Sequence, residues 1–296
     1  MQVQVAVVAA LAVAWFAVWR LVRPWDSQVA LVFFPSGDLA RLGVCAAMVW
    51  AIAAACALLT LSARPEGALL AALAGAAGLA LRSGSMSTLL KYSGDDFHRT
   101  FALLSAEVLA MAGIVIGAAV VIAVIRALAR RIVPGWVWSE PPEPAPAAGS
   151  GSDRRKVKAA GVVNFAGCLV TELAAALILL ALTFRSPERG QIAFALVASF
   201  LLAALAAHQM FPVRSAAPFW LGPLLMGAAV LALGTLGASD PGPAWYHAIR
   251  GATGMPLRAA SPLHWLGLGC GGAVAGFWLS RRIHDHSHEK KEPEKS

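Results

Sequence analysis

Three polar side chains recur at helical spacing inside residues 162–182, an apolar run long enough to cross a bilayer. Asn164, Cys168 and Glu172 follow one another at every fourth position, and Thr171 lies beside them. Side chains at this spacing share one face of an α-helix. A carboxylate at hydrocarbon depth costs about 2.5–3.5 kcal/mol on insertion scales. We therefore expect this face to turn inwards, towards a partner, a water-filled cavity or a bound proton.

Two interpretations of this polar face are open. In the functional one, Glu172 is a proton or cation site, or part of a polar path through the membrane. In the structural one, it makes an interhelical hydrogen bond that fixes the packing. Glu107 is a second acid inside an apolar run, and we expect it nearer the outer surface. A cavity shared by the two acids would favour the functional interpretation.

Histidine and aspartate residues form a second candidate group, predicted on the outer side of the membrane. His98, His247, His264, Asp95 and Asp96 fall in or beside two loops there. Histidine and carboxylate together bind transition metals, and histidine also contacts haem or quinone. The histidines have no ligand spacing, so ordinary interfacial polar residues are the alternative. We predict no cofactor.

The C-terminal tail carries a sharper metal pattern, with His284, His286 and His288 at alternate positions. Alternating histidines capture zinc or nickel weakly. A charged, solvated tail is the alternative interpretation of the same residues.

The composition indicates a membrane protein with an all-α fold. The chain is 58% hydrophobic and only 14% charged, whereas soluble domains are about 25% charged. Lipid accepts helices or closed barrels, and barrel strands would alternate over about 10 residues. The runs here are longer than that. The net charge of +8 is concentrated beside apolar runs, which favours contact with lipid headgroups over nucleic-acid binding.

The apolar runs predict a polytopic transmembrane bundle of about eight helices, with seven as the alternative. A crossing needs about 20 apolar residues, and the third run is short of that. It could be a short crossing, a re-entrant hairpin or an interfacial helix. The predicted runs are 2–22, 40–62, 67–82, 101–125, 160–184, 191–211, 217–238 and 262–280.

Lysine and arginine set the predicted orientation. They cluster in residues 126–158 and again after residue 280. Four predicted crossings separate these clusters, so both can lie on one side. We expect the C-terminus in the cytoplasm and the protein in the cytoplasmic (inner) membrane of a bacterium. The charge count alone slightly favours seven crossings.

An internal similarity favours eight crossings. Residues 43–67 and 166–190 align without a gap at a cysteine, a Leu-Thr pair and a glycine. Both stretches predict a helix, a charged turn and a second helix. Three crossings separate them, so they would be inverted copies, as in secondary transporters. Chance similarity between alanine- and leucine-rich helices is the alternative.

A Pro-, Gly- and Ser-rich stretch divides the chain into two membrane halves of about four helices each. Prolines favour extended backbone, and the Gly/Ser end is flexible. The predicted parts are an N-terminal half, 1–138, a cytoplasmic linker that becomes basic, 139–158, a C-terminal half, 159–282, and a charged disordered tail, 283–296.

Small residues recur at helical spacing in two runs, and they predict close helix packing. Gly113 and Gly117 form one such pair, and Gly267/Gly271 and Gly272/Gly276 form two more. The predicted partners are the lipid bilayer, other membrane subunits and further copies of this chain. Trp50, near the centre of its run, is predicted to be a packing residue.

No catalytic signature accompanies these features. The sequence lacks a P-loop, HExxH, GxSxG and a dinucleotide-binding glycine motif. The leading expectation is a non-catalytic anchoring or accessory component of a membrane complex. The alternative is a secondary transporter or channel for a small solute or ion, with Glu172 as the coupling acid. A membrane-embedded enzyme acting on lipid or quinone is the third hypothesis.

Overall fold

Helices make up nearly all the regular structure of the described part of the chain. The computed structural model describes residues 1–93, 96–139, 151–235, 249 and 256–289. For 151–160 and 284–289 it describes the course of the helix and not the side chains. Within these ranges the only β pairing is an isolated parallel bridge between Val29 and Ser85. The predicted all-α fold is confirmed for this part of the chain.

Nine helices are numbered here in chain order within the described ranges. Each predicted apolar run corresponds to one of them, and the short α4 is additional. They are α1 Gln2–Val22, α2 Leu39–Leu59, α3 Pro65–Arg82, α4 Met86–Tyr92, α5 Phe97–Ile132, α6 Gly151–Thr183, α7 Arg189–Met210, α8 Ala217–Ala232 and α9, residues 262–289.

Among the described residues, six helices are long and apolar enough to cross a membrane: α1, α2, α5, α6, α7 and α8 with its 3₁₀ extension to Thr235. A multi-pass membrane protein is compatible with this set, but the predicted count of about eight is not reached by length and composition. Of the helices in the predicted runs, the two that do not meet the criteria of length and hydropathy are α3 and α9. In α3, the charged ends Glu66 and Arg82 enclose ten alanines and glycines beside five leucines, and the small residues offer less apolar surface than leucine.

The helices α3 and α9 form the centre of the bundle. Most residues of α3 are buried, and so is every residue of α9 up to Val274. The two helices touch backbone to backbone, since a Cβ added at Gly267 would lie 2.5 Å from Ala77 Cα. Residues 67–82 therefore form one continuous helix in the interior of the bundle and not a hairpin.

A second small-residue face of α9 packs against α7. A Cβ at Gly272 would lie 2.7 Å from the carbonyl oxygen of Val197, and one at Gly276 would collide with the carbonyl of Leu201. Gly271, on the α3 side, has Leu73 Cβ at 3.8 Å from such an atom. Both glycine faces of α9 thus serve packing within one chain, as small residues do between membrane helices.

The glycine pair of α5 has unequal surroundings. Trp50 of α2 donates a hydrogen bond from Nε1 to the Ile114 carbonyl at 3.0 Å. Its ring fills the space beside Gly117, where a Cβ would lie 2.5 Å from the indole. Gly113 has no neighbour within 4 Å of that position. The packing role predicted for Trp50 is observed, and it requires a glycine at 117.

Exchanging Gly117 for valine should displace Trp50 and loosen the contact between α2 and α5. Overpacking of this kind costs about 1–3 kcal/mol, so the thermal unfolding midpoint in detergent should fall. Gly113→Val is the matched control, one turn earlier and facing open space, and it should change the midpoint little. Equal shifts for the two variants would show that Trp50 does not depend on Gly117.

The two similar stretches both form helical hairpins, α2–α3 and α6–α7. At the end of each first helix a threonine hydroxyl donates to the carbonyl four residues earlier: Thr60 to Cys56 at 2.7 Å, and Thr183 to Leu179 at 2.8 Å. The turn 60–64 lies near Arg281, and the turn 184–188 lies at the opposite end of the bundle. The hairpins therefore point in opposite directions, as inverted copies would.

The bundle has two ends, named here by a residue at each. The Arg281 end gathers the turn 60–64, residues 133–139 and the loop 211–216, joined for example by Trp138 N donating to Leu61 O at 2.8 Å. The Phe33 end gathers the loops 23–38 and 83–93 and the turn 184–188.

The helices extend into segments that the sequence predicts to be irregular. The helix α6 begins at Gly151, inside the predicted linker, and α9 continues to Glu289, inside the predicted tail. A helix satisfies its backbone hydrogen bonds internally, so polar sequence can prolong it beyond an apolar run. The remaining linker residues 140–150 and tail residues 290–296 lie outside the described residues.

Candidate functional site: a buried acid beside a proline-interrupted helix

Glu172 is enclosed in the bundle. Its exposed fraction is 0%, and it lies near the middle of the apolar part of α6, Gly161–Thr183. Neither carboxyl oxygen has a hydrogen-bond partner among the described residues. A charged carboxylate there would have lost its water without gaining donors, which costs several kcal/mol. The site is suited to a group that holds a proton.

The carboxyl group of Glu172 faces α8 at an interruption in that helix. A Cβ added at Gly222 would lie 2.7 Å from Oε2 of Glu172, so the glycine leaves the room that the acid occupies. The next residue, Pro223, lies inside the helix. Because proline has no N–H, the carbonyl of Phe219, four residues earlier, loses its helical donor. The acid therefore lies where a neighbouring helix is weakened.

Two cysteine thiols flank this acid. Cys168 lies one turn earlier in α6, and Cys270 lies in α9; both are free and fully buried. Cys168 precedes Glu172 by four residues, so the two side chains lie on the same face of α6. The Cys270 thiol donates to the Trp220 carbonyl of α8 at 3.2 Å. The site thus joins α6, α8 and α9.

The rest of the predicted polar face is only partly inside the protein. Asn164 is half-buried near the Arg281 end, and its Nδ2 is 3.5 Å from the Pro212 carbonyl, at the long limit for a hydrogen bond. Thr171 is half-buried as well. Of the four residues, the structure brings Cys168 and Glu172 into the interior together.

Glu107 lies in a different environment near the Phe33 end. Its Oε2 accepts hydrogen bonds from the backbone N–H groups of Phe33 and Phe34, both at 2.8 Å. No hydrogen bond or ion pair within the described ranges joins it to Glu172. The two acids have separate partners, and Glu107 holds backbone in place.

The backbone that Glu107 holds is a buried extended segment, residues 29–33. Ala30 N donates to Ser85 O at 3.2 Å, and Leu31 N donates to the Ser83 hydroxyl at 2.7 Å. The segment therefore joins the loop after α1 to the loop after α3. Residues 29–33 are all apolar, so the segment lacks the alternation of polar and apolar residues that indicates a strand. It was not predicted from the sequence.

The predicted outer histidines make separate contacts where they are described. His98 is exposed, with Nδ1 2.9 Å from the Thr235 carbonyl oxygen. His264 is buried, and its Nδ1 lies 2.7 Å from the Ser261 hydroxyl in a capping box at the start of α9. Asp96 caps α5 by accepting from Arg99 N at 3.1 Å.

The remaining members of the predicted metal groups lie outside the described side chains: Asp95, His247, His284, His286 and His288. Among the side chains that are described, no three His, Cys, Asp or Glu residues are grouped to hold a metal ion.

An ion pair at the Arg281 end was not predicted from the sequence. Arg281 Nη1 in α9 lies 2.8 Å from Glu66 Oε1 at the start of α3, and both side chains are largely buried. Nearby, Arg126 of α5 donates to the carbonyls of Thr60 and Ala63, at 3.2 and 2.8 Å. An acid at the start of a short apolar run is the signal that could have indicated such a partner.

The chain matches no protein-family model, no curated protein and no solved structure. Its function is therefore inferred from the side chains and their surroundings.

Proposed function

We propose that the chain is a secondary transporter for a small solute or ion, with Glu172 as its coupling acid. The coarser property, a multi-pass integral membrane protein, is compatible with the six long apolar helices among the described residues. The observation that supports the transport role is the Glu172 carboxyl, fully buried and without a partner for either oxygen.

Coupling requires that the acid gain and lose its proton at different stages of a cycle. A bound proton removes the charge and allows the group to stay in the dry interior. Release of the proton requires water or a donor beside the carboxylate, and hence a movement of neighbouring helices. The interruption of α8 at Gly222 and Pro223 supplies a point at which such a movement can occur.

The proposed topology has eight crossings, with the Arg281 end in the cytoplasm. Arg130 and Arg131 end α5 at this end, and the basic residues of 153–158 open α6. Arg281 and Arg282 lie there too. The positive charges after α5 and in α9 lie at the same end, as the positive-inside rule requires for the second half of the chain, whereas Arg20, Arg23 and Arg41 lie at the opposite end. The interior helices α3 and α9 then complete the crossings, protected from lipid by the other six.

Transport can be tested with Glu172→Gln, which keeps the size of the side chain and removes its proton chemistry. Proteoliposomes holding a pH-sensitive dye receive an inward proton gradient and a panel of amino acids, sugars and monovalent cations. The wild-type protein should move protons when one solute class is present. The variant should fall to the level of empty liposomes while remaining folded and monodisperse.

Glu188→Gln is the matched control, since this acid is exposed in the turn before α7. It should transport like the wild-type protein. Unchanged proton movement in Glu172→Gln would remove Glu172 from the mechanism.

A non-catalytic accessory role is the second candidate, and the backbone contact between α3 and α9 at Gly267 favours it. A rigid centre suits an anchor for other subunits. Purification in mild detergent should then recover a partner subunit at fixed stoichiometry. Transport by the purified chain without any partner subunit would support the transporter role over the accessory role. An enzyme acting on lipid or quinone is a weaker hypothesis, because it needs His98, His247 and His264 around one outward-open cavity.

A further inference from the structure

A cavity of about 280 Å³ opens at the Arg281 end, between α3, α5 and the loop before α8. Its inner wall is apolar and includes Leu69, Ala119 and Ile122. Its rim is polar, with Arg214 and Ser215 exposed in the loop 211–216. An apolar wall beneath a polar rim is the surface that a membrane lipid meets where its acyl chain joins its headgroup.

Glu66 forms part of the cavity wall and has one oxygen without a donor. Its side chain is only 9% exposed, and its Oε1 receives the hydrogen bond from Arg281 at 2.8 Å. Oε2 has no partner within the described residues and is shielded from bulk water. Most buried polar atoms are hydrogen-bonded, so this oxygen leaves a place for an N–H or O–H donor in the wall of the cavity.

Positive charge surrounds the same acid. Arg281 also donates to the carbonyl of Arg214 at 3.2 Å, and Arg126 donates to the carbonyl of Ala63, three residues before Glu66, at 2.8 Å. The cavity therefore presents an unpaired carboxylate oxygen beside guanidinium groups. This arrangement is complementary to a zwitterion, in which a donor group and an anionic group are a few atoms apart.

We propose that the cavity binds the headgroup of an aminophospholipid, phosphatidylethanolamine being the simplest. Its ammonium group donates to Oε2 of Glu66, its phosphate lies at the rim with Arg214 and Ser215, and an acyl chain follows Ala119 and Ile122. Basic pockets between membrane helices on the cytoplasmic side bind lipid headgroups. The unpaired oxygen adds selectivity for an ammonium group that can donate a hydrogen bond. The trimethylammonium group of phosphatidylcholine has no N–H and cannot donate one.

The test is native mass spectrometry of the purified full chain, titrated with phosphatidylethanolamine, phosphatidylcholine or phosphatidylglycerol of identical acyl chains. The wild-type protein should bind phosphatidylethanolamine about tenfold or more tightly than the other two, as one charge-assisted hydrogen bond predicts. Glu66→Gln should remove most of this preference, and the exposed Glu188→Gln should keep it.

A second variant leaves the ion pair with Arg281 intact. Ala119→Phe fills the cavity from α5 and should weaken binding of phosphatidylethanolamine to the level of phosphatidylcholine. Val120→Phe, on the adjacent exposed position, is its control and should bind normally. Equal binding of the two lipids by the wild-type protein, or full binding by Ala119→Phe, would overturn the proposal. Equally tight binding of phosphatidylglycerol would also overturn it, by showing recognition without the amine.

Discussion

Replacing Gly267 with valine should prevent the bundle from forming. A Cβ at this position would lie 2.5 Å from Ala77 Cα and closer still to Ala77 N. Overpacking against side chains costs about 1–3 kcal/mol, and it is relieved by changes of rotamer. Here the obstacle is backbone in the middle of α3, so the two central helices must separate along their whole contact.

The expected result for Gly267→Val is loss of the monodisperse peak in size-exclusion chromatography and of a cooperative thermal transition. Gly271→Ala is the matched control in the same helix, because its added methyl group would meet Leu73 Cβ at an ordinary 3.8 Å. This variant should unfold within a few degrees of the wild-type protein. A well-folded Gly267→Val protein would show that α3 and α9 do not pack as described.

Replacing Glu107 with leucine should release the buried extended segment. The substitution removes the acceptor of the Phe33 and Phe34 N–H groups. A buried donor left without a partner costs about 1–3 kcal/mol, so the two together predict a loss of about 2–6 kcal/mol. The unfolding midpoint should fall accordingly, and limited proteolysis should cut within the loop 23–38.

Glu107→Gln separates the hydrogen bonds from the bulk of the side chain. Its amide oxygen can still accept from both N–H groups, so its loss of stability should be clearly smaller than that of Glu107→Leu. If the leucine variant matches the wild-type protein in stability and protease resistance, the carboxylate does not hold the segment. Glu172→Gln is the comparison variant. Neither oxygen of Glu172 accepts a hydrogen bond from the described residues, so this exchange should leave the stability of the protein unchanged.

The positions of the helices could be predicted because each depends on local composition. A run of apolar residues long enough to cross a bilayer forms a helix regardless of its neighbours, and both hairpins followed from such runs. The central location of α3 and α9 was harder to predict. The glycines of α9 indicated close packing, but which helix fills each glycine face depends on the tertiary arrangement.

The candidate site was only partly predictable for the same reason. The spacing of Cys168 and Glu172 identified a shared face of α6, and the cost of a buried charge predicted that it turns inwards. That Gly222 makes room for the acid depends on a pairing of helices 50 residues apart. The two acids also differ in ways no local pattern shows, because the partner of Glu107 is the backbone of Phe33 and Phe34.

The ion pair between Glu66 and Arg281 has a consequence for the order in which the chain becomes stable during its synthesis. The helix α3 is made early, yet the arginine that neutralises its acid and the helix that covers it are separated from Glu66 by 215 positions. Until α9 is made, Glu66 has neither its arginine partner nor the helix that packs beside it. A chain truncated before α9 should therefore leave this acid unpaired and be less stable than the full chain.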